Sequence, residues 1–168
     1  MKRLCELNDQ VILGTPGRSS QPPRLTARAI VKNKDGLYAV MYAERFRLYS
    51  LPGGGVEADE TVLHALQREI YEETGCSCDS VRELGVVHEN RASLDYTQIN
   101  HYYVVETQSA PGEMHLTQAE KNNRTRVLWL PLEEMMRVIC DQAFERIQQK
   151  YLQARDVAAL QEYLRLLK

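Results

Sequence analysis

The chain has 168 residues, 43% apolar, 26% charged and 7% aromatic, the size and mix of a single domain with a hydrophobic core and too short for two full ones. Its 21 Lys and Arg against 23 Asp and Glu give a net charge of -2 and a pI near 6.1, so no overall field draws it to nucleic acid or to an anionic membrane. The opening MKRLCELNDQ has acidic and amide residues where a signal peptide needs an apolar stretch, and no apolar run reaches membrane-spanning length. These features point to a cytoplasmic protein with no membrane and no nucleic-acid partner.

An N-terminal strand and loop are expected over residues 1–24, with the strand near 3–13 and the Gly-, Pro- and Ser-rich GTPGRSSQPPR as the loop. LTARAIVKN and LYAVMYA are β-branched, aromatic or apolar runs separated by Lys34, Asp35 and Gly36, and Asp-Gly is a tight-hairpin dipeptide. LPGGG, Leu51 to Gly55, interrupts regular structure. From Glu60 to Thr74 the residues favour a helix, with Asp59 as the expected N-cap and Gly75 as its terminator. Strands are expected near 81–89, 98–107 and 125–130, with Ser109 to Asn123 as a polar loop and Trp129 in the core. Pro131 opens a C-terminal helical extension, 132–168, that reads as two helices. In the second, Val157, Leu160, Leu164 and Leu167 recur at three- and four-residue steps, an apolar face that packs on the domain or pairs two copies into a homodimer. This order of elements suits a layered α/β domain. Cys5, Cys76, Cys78 and Cys140 lack the paired spacing of a zinc site and are too few for a disulfide scaffold, so reduced thiols are expected.

The chemistry concentrates in Gly54 to Cys76. On a helix over 60–74, Glu69, Glu72 and Glu73 fall within an arc of roughly 100°, and Glu73 projects towards the apolar stripe of Val62 and Leu66. Two carboxylates about 5 Å apart repel by roughly 3 kcal/mol at an effective dielectric near 20. Arg68, one turn from Glu72, offsets roughly 0.3 to 0.5 kcal/mol as an exposed pair, too little for three anions. An acidic helix face alone is more often a solvated surface. Gly53, Gly54 and Gly55 beside it allow backbone groups to turn towards a metal or a phosphate, and oxygen-only ligands with substrate phosphates suit Mg²⁺, with Mn²⁺ as a substitute.

The run Gly54, Glu60, Arg68, Glu69, Ile70, Glu72, Glu73, Gly75 and Cys76, preceded by LPGG, resembles the signature of the Nudix hydrolases, with Cys76 in place of the final aliphatic residue. The strands around it, VLWLP at 127–131 and the helix after it also resemble that family. The resemblance implies a Nudix fold, a mixed β-sheet sandwiched between helices (α/β/α), over a single domain. It implies metal-dependent hydrolysis of the diphosphate linkage of a nucleoside diphosphate joined to another moiety, an acid-anhydride hydrolase with a small nucleotide-type substrate. By the same resemblance Glu69, Glu72, Glu73 and the Gly53 carbonyl would bind the metal and Arg68 would orient the glutamates. Glu69 is the first candidate base, Glu73 shares the catalytic cluster, and Glu120, in LTQAE, is the second candidate.

Substrate contacts are less legible. Arg28, Arg45 and Arg47 are candidates for diphosphate oxygens, although an arginine near a strand end is more often simply exposed, and Gly54 is a candidate for a backbone contact. Tyr96, Tyr102 and Tyr103 read as packing, and His64, His88, His101 and His115 show no ligand spacing. Arg91 to Leu94 lacks the proline or tyrosine that marks some Nudix subfamilies, which leaves the substrate open. The alternative to catalysis is a nucleotide-binding regulator on the same fold, which would be expected to have lost acidic residues from the helix.

Overall fold

The structure is a computed structural model and describes residues 1–168. Strand β1 (Arg3–Asn8) leads into a short helix α1 (Asp9–Leu13), and β2 (Arg24–Asn33) and β3 (Tyr38–Ala43) form the expected hairpin. Its turn is tied by Asn33, whose side chain accepts the amides of Asp35 at 3.0 Å and Leu37 at 2.9 Å. Strands β4 (Leu48–Ser50) and β5 (Gly53–Gly55) precede helix α2 (Val62–Thr74). Then come β6 (Ser80–Arg91), β7 (Tyr96–Thr107), α3 (Gln118–Asn122), β8 (Thr125–Leu130), α4 (Leu132–Cys140) and α5 (Ile147–Leu166).

The sheet is mixed and forked. β1 runs parallel to β6, β6 antiparallel to β7, and β7 parallel to β2. β2 and β3 pair only at Lys32 and Tyr38, beside their turn. Beyond that point they part: β2 takes β5 on its free edge, from Thr26–Gly55 to Arg28–Gly53, while β3 takes β4 and β8. Because a hairpin folds back on itself, both arms open at the same end.

Alternation along β2 sorts the two cores. Ala27, Ala29 and Val31, with Ala39 of β3, face Ala65, Leu66 and Ile70 of α2, and the small alanines let this helix lie close. Ile30, Val40, Leu51, Tyr102 and Val104 face the opposite way, onto Met135 and Ile139 of α4 and Tyr151, Ala159, Leu160 and Tyr163 of α5. The sheet is thus sandwiched between helices, as expected. Trp129 packs against the α2 side, the four cysteines are free thiols, and no helix is long and apolar enough to cross a membrane.

Three local expectations are corrected. The strand expected over 3–13 stops at Asn8, whose side chain accepts the Val11 amide at 3.0 Å and starts α1, an N-cap that outweighs the strand-like Val-Ile-Leu run. Helix α2 is capped by Thr61 and not Asp59, through the His64 amide at 3.2 Å. The 109–123 loop contains α3, started by a capping box of Thr117 and Glu120.

In α5 the apolar face is largely used within the chain: Leu160 is fully buried, while Leu166 and Leu167 near the end stay exposed. Pairing of two copies through this helix would have little but those two residues to use. Leu160→Ala is expected to lower stability by about 3 kcal/mol and Leu167→Ala by less than about 0.5 kcal/mol, read from urea unfolding midpoints. Equal effects would contradict this packing.

Candidate active site

The site is assembled at the fork, where α2 crosses the glycine strand. Helix α2 ends at Gly75, left-handed at φ 68, so Glu69, Glu72 and Glu73 occupy its last turn and a half. Beside them the Leu51–Gly53 segment fills the gap between the arms. The Pro52 carbonyl accepts the Ala29 amide at 3.0 Å, and Arg28 Nη1 donates to the carbonyls of Gly53 at 2.8 Å and Leu51 at 3.3 Å. Two glycines are required by contact. A Cβ on Gly53, at φ 127, would lie 2.2 Å from the Ala27 carbonyl oxygen, and one on Gly54 would lie 2.3 Å from Glu69 Oε1. The carboxylate of Glu69 can approach this strand only because the side chain is missing.

Arg68 is the hub of the charges. Its guanidinium donates to Glu60 at 2.6 Å, Glu69 at 2.8 Å, Glu72 at 3.2 Å and the Gly55 carbonyl at 3.0 Å. This explains Glu60: its carboxylate leaves the helix start to Thr61 and clamps Arg68, whose pKa the Glu60 bond raises further. Glu73 is buried away from this hub and accepts the Gly53 amide at 2.6 Å. Burial pushes its carboxyl up to about 8, with the charges of Glu69 and Glu120 adding and the Gly53 amide and Arg28 opposing. Glu69 is also raised, first by burial, with Arg68 pulling the other way.

As placed, no three acidic, histidine or cysteine side chains are arranged to hold an ion; the glutamates are spread around Arg68 and Gly53. The donor set nevertheless fits a hard dication. It consists of carboxylate oxygens, and the single guanidinium of Arg68 is shared by Glu69 and Glu72 while Glu73 has only a backbone amide as partner.

The other sequence candidates divide between two places. Arg28 lies under the loop, bound to the Gly53 carbonyl, with its Nε buried and unpartnered. Arg45 and Arg47 stand exposed on the β3–β4 turn. Glu120 is near enough to Glu73 to raise its pKa, yet its carboxylate accepts the Thr117 amide and hydroxyl, both at 2.7 Å.

A further group was missed by sequence reasoning. Asp156 of α5, fully buried, accepts the Leu51 amide at 2.9 Å and the Tyr102 hydroxyl, so α5 fixes the segment that leads to Gly53. Its neighbour Arg155, also buried, reaches Asn100 at 3.3 Å and Glu89 at 3.9 Å. The signal was the charged pair Arg155-Asp156 in line with Tyr151, Ala159 and Leu160, on the helix's buried side.

The chain matches the NUDIX domain family model over residues 22–152 and belongs to that family. It is a Nudix-type hydrolase, an enzyme of the class that acts on acid anhydrides, and members of the family generally use divalent metal ions. Among solved structures it resembles the NUDIX hydrolase from Nitrosomonas europaea, at 21% identity and TM-score 0.59 over 86% of this chain and 90% of that one. The MutT protein from Methanosarcina mazei Go1 is similar at 17% identity and TM-score 0.62, over 89% and 98%. The NUDIX domain of Shewanella oneidensis NrtR, complexed with ADP ribose, matches at 16% identity and TM-score 0.60, over 88% and 90%. At these identities the structures support the fold alone. No curated protein matches.

The Glu73 environment has a pH signature in metal-free protein. Between the ordinary value of 4.5 and about 8, the folded chain keeps a proton that the unfolded chain releases, so stability falls as pH rises through that window. Glu73→Gln removes this titration and still offers an oxygen to the Gly53 amide. In chelator, its melting temperature is expected to match wild type near the low end of the window and to exceed it increasingly towards the high end. A difference that does not vary with pH would show that Glu73 is not titrating as a buried carboxyl.

Proposed function

We propose that this chain is a divalent-metal-dependent pyrophosphohydrolase acting on the diphosphate linkage of a nucleoside diphosphate joined to another moiety, with residues 1–168 as one functional unit. The observation that carries the reading is the crowding of Glu69, Glu72 and Glu73 against the glycine strand at the fork, with Arg68 as the one cation bonded into the trio. Retention of all three carboxylates favours catalysis over a purely nucleotide-binding role.

Glu69, Glu72, Glu73 and the Gly53 carbonyl would hold Mg²⁺, with Mn²⁺ as a substitute. Bound there, the ion would neutralise charge on the phosphoryl oxygens and lower the pKa of the attacking water. The chain's own groups do the positioning. Arg68, clamped by Glu60, sets the rotamers of Glu69 and Glu72, and the Gly53 amide aims Glu73. Arg28 would support the loop by holding the Gly53 carbonyl from below. Glu69 is the first candidate to take the proton from water. Glu120 is the second, and to serve it must release Thr117.

The test is a panel of nucleoside triphosphates, sugar nucleotides, ADP-ribose and dinucleotides with Mg²⁺, followed by product analysis. Against the best substrate, Glu72→Gln is expected to lose about a hundredfold or more in kcat; wild-type turnover would overturn the metal assignment. For the base, Glu120→Gln should lower kcat and spare KM, and a change confined to KM would remove Glu120 from that role.

A further inference from the structure

The second arm of the fork ends in a feature that the hydrolase reading leaves unused. Around the β3–β4 turn and the α3–β8 turn lies a cleft of about 640 Å³ lined by Tyr42, Glu44, Arg45, Arg47, Asn122 and Arg124. Three arginines face one acid on a chain whose net charge is -2. Glu44 pairs with Arg126 at 3.6 Å, reaches Arg124 only at 4.0 Å, the limit of an ion pair, and is paired with neither Arg45 nor Arg47. The positive charge is therefore local and largely uncompensated.

Two short helical turns close here on residues in the left-handed region. Arg47 and Arg124 have φ of 49° and 52°, and they account for two of the three non-glycine residues of the chain in the left-handed region. Such conformations cost free energy and persist where surrounding structure enforces them, often at binding sites. The enforcing contact joins the two turns: the Arg45 amide donates to the Asn123 carbonyl at 3.2 Å.

Position ties the cleft to the glutamates. β3 leaves its pairing with β2 at Tyr38 and ends at Ala43, opposite Thr125 of β8, at the open end of the fork. Gly53, paired with Arg28, lies on the other arm at that same end. The segment that leads into α3 touches α2, the His115 amide donating to the Glu72 carbonyl at 2.6 Å, and Asn122 at the end of α3 lines the cleft.

We propose that this arginine cleft is a subsite for a phosphate carried by the substrate in addition to the scissile diphosphate. The preferred substrates are then nucleotides with an extended polyphosphate chain rather than diphosphates capped by an uncharged sugar. Guanidinium groups bind phosphate oxygens bidentately, and the volume is that of a small-molecule site, whereas a strand of nucleic acid would call for a longer basic track than one cleft provides. The inference rests on the hydrolase reading, and its test separates the two.

Inorganic tripolyphosphate is titrated calorimetrically into metal-free full-length protein, where the glutamates repel it and the arginines remain. Arg45→Ala and Arg124→Asn, the latter because asparagine tolerates a left-handed backbone, are each expected to weaken binding about fivefold. With Mg²⁺, kcat/KM for ATP relative to ADP-ribose is expected to favour ATP and to drop about tenfold or more in the double variant, chiefly through KM. Tripolyphosphate binding that the substitutions leave unaltered overturns the subsite, even if both nucleotides are cleaved. Arginine-dependent binding without cleavage of any nucleotide supports the subsite and overturns the hydrolase reading.

Discussion

Three carboxylates on one and a half turns of helix repel one another by several kcal/mol, and the site is organised around containing that repulsion. Containment takes two forms. Glu69 and Glu72 share the guanidinium of Arg68, which Glu60 holds from the far side. Glu73 is buried, which raises its pKa and favours the neutral acid when no cation is present, while the Gly53 amide fixes its direction. The cluster is therefore tolerable without metal; on the metal-dependent reading Glu69, Glu72 and Glu73 would hold a dication, which would supply positive charge that Arg68 alone supplies here.

The same constraint accounts for the glycines and for the layer behind them. A carboxylate packed against a strand needs that strand stripped of side chains, hence Gly54, and a carbonyl presented at the fork needs a backbone angle that other residues resist, hence Gly53. Stripped backbone is flexible, so it is fastened from beneath: Arg28 binds the carbonyls of Leu51 and Gly53, and Asp156 binds the Leu51 amide. Both fastenings are charged groups set into the α4–α5 side of the sheet. Buried charge is a costly way to gain stability, but it fixes direction, and a hydrophobic contact would hold the loop without aiming it. The match to the family model stops at residue 152, so Asp156 adds a support from outside the matched segment.

Most of the fold was legible because it follows local periodicity. The hairpin at Asp35-Gly36, the apolar face of α2, the glycine that ends it and the long strands β6 and β7 are each set within a few residues of themselves. The acidic face of α2 was legible for the same reason. Errors arose where two local signals competed. Asp59 and Thr61 are both N-cap residues, and the choice fell to Thr61 once Glu60 turned to Arg68, a contact eight residues away. Asp156 was legible only as a charge on the buried side of its helix: its partner, the Leu51 amide, lies 105 residues earlier in the chain and no local pattern points to it. Arg45 and Arg47 were legible as cations but not as a pair with Arg124, which joins them only through the fork.

Glu120 shows how a structural role and a chemical one can occupy a single side chain. Its carboxylate closes the capping box of α3, accepting both the amide and the hydroxyl of Thr117, an arrangement that stabilises a five-residue helix by roughly 1 kcal/mol. A helix this short is marginal without its cap, so drawing Glu120 towards the glutamates would loosen α3, and with it Asn122 and the turn that carries Arg124. Engagement of a phosphate by that turn would hold the turn in place while the cap opens. A base at Glu120 and an anion subsite at Arg124 would then be coupled through the last turn of α3 and the residues that follow it: occupying the second lowers the cost of freeing the first. Glu69, fixed by Arg68 and by the missing side chain of Gly54, has no such coupling, and the two candidates for the base therefore differ in whether catalysis should depend on what fills the arginine cleft.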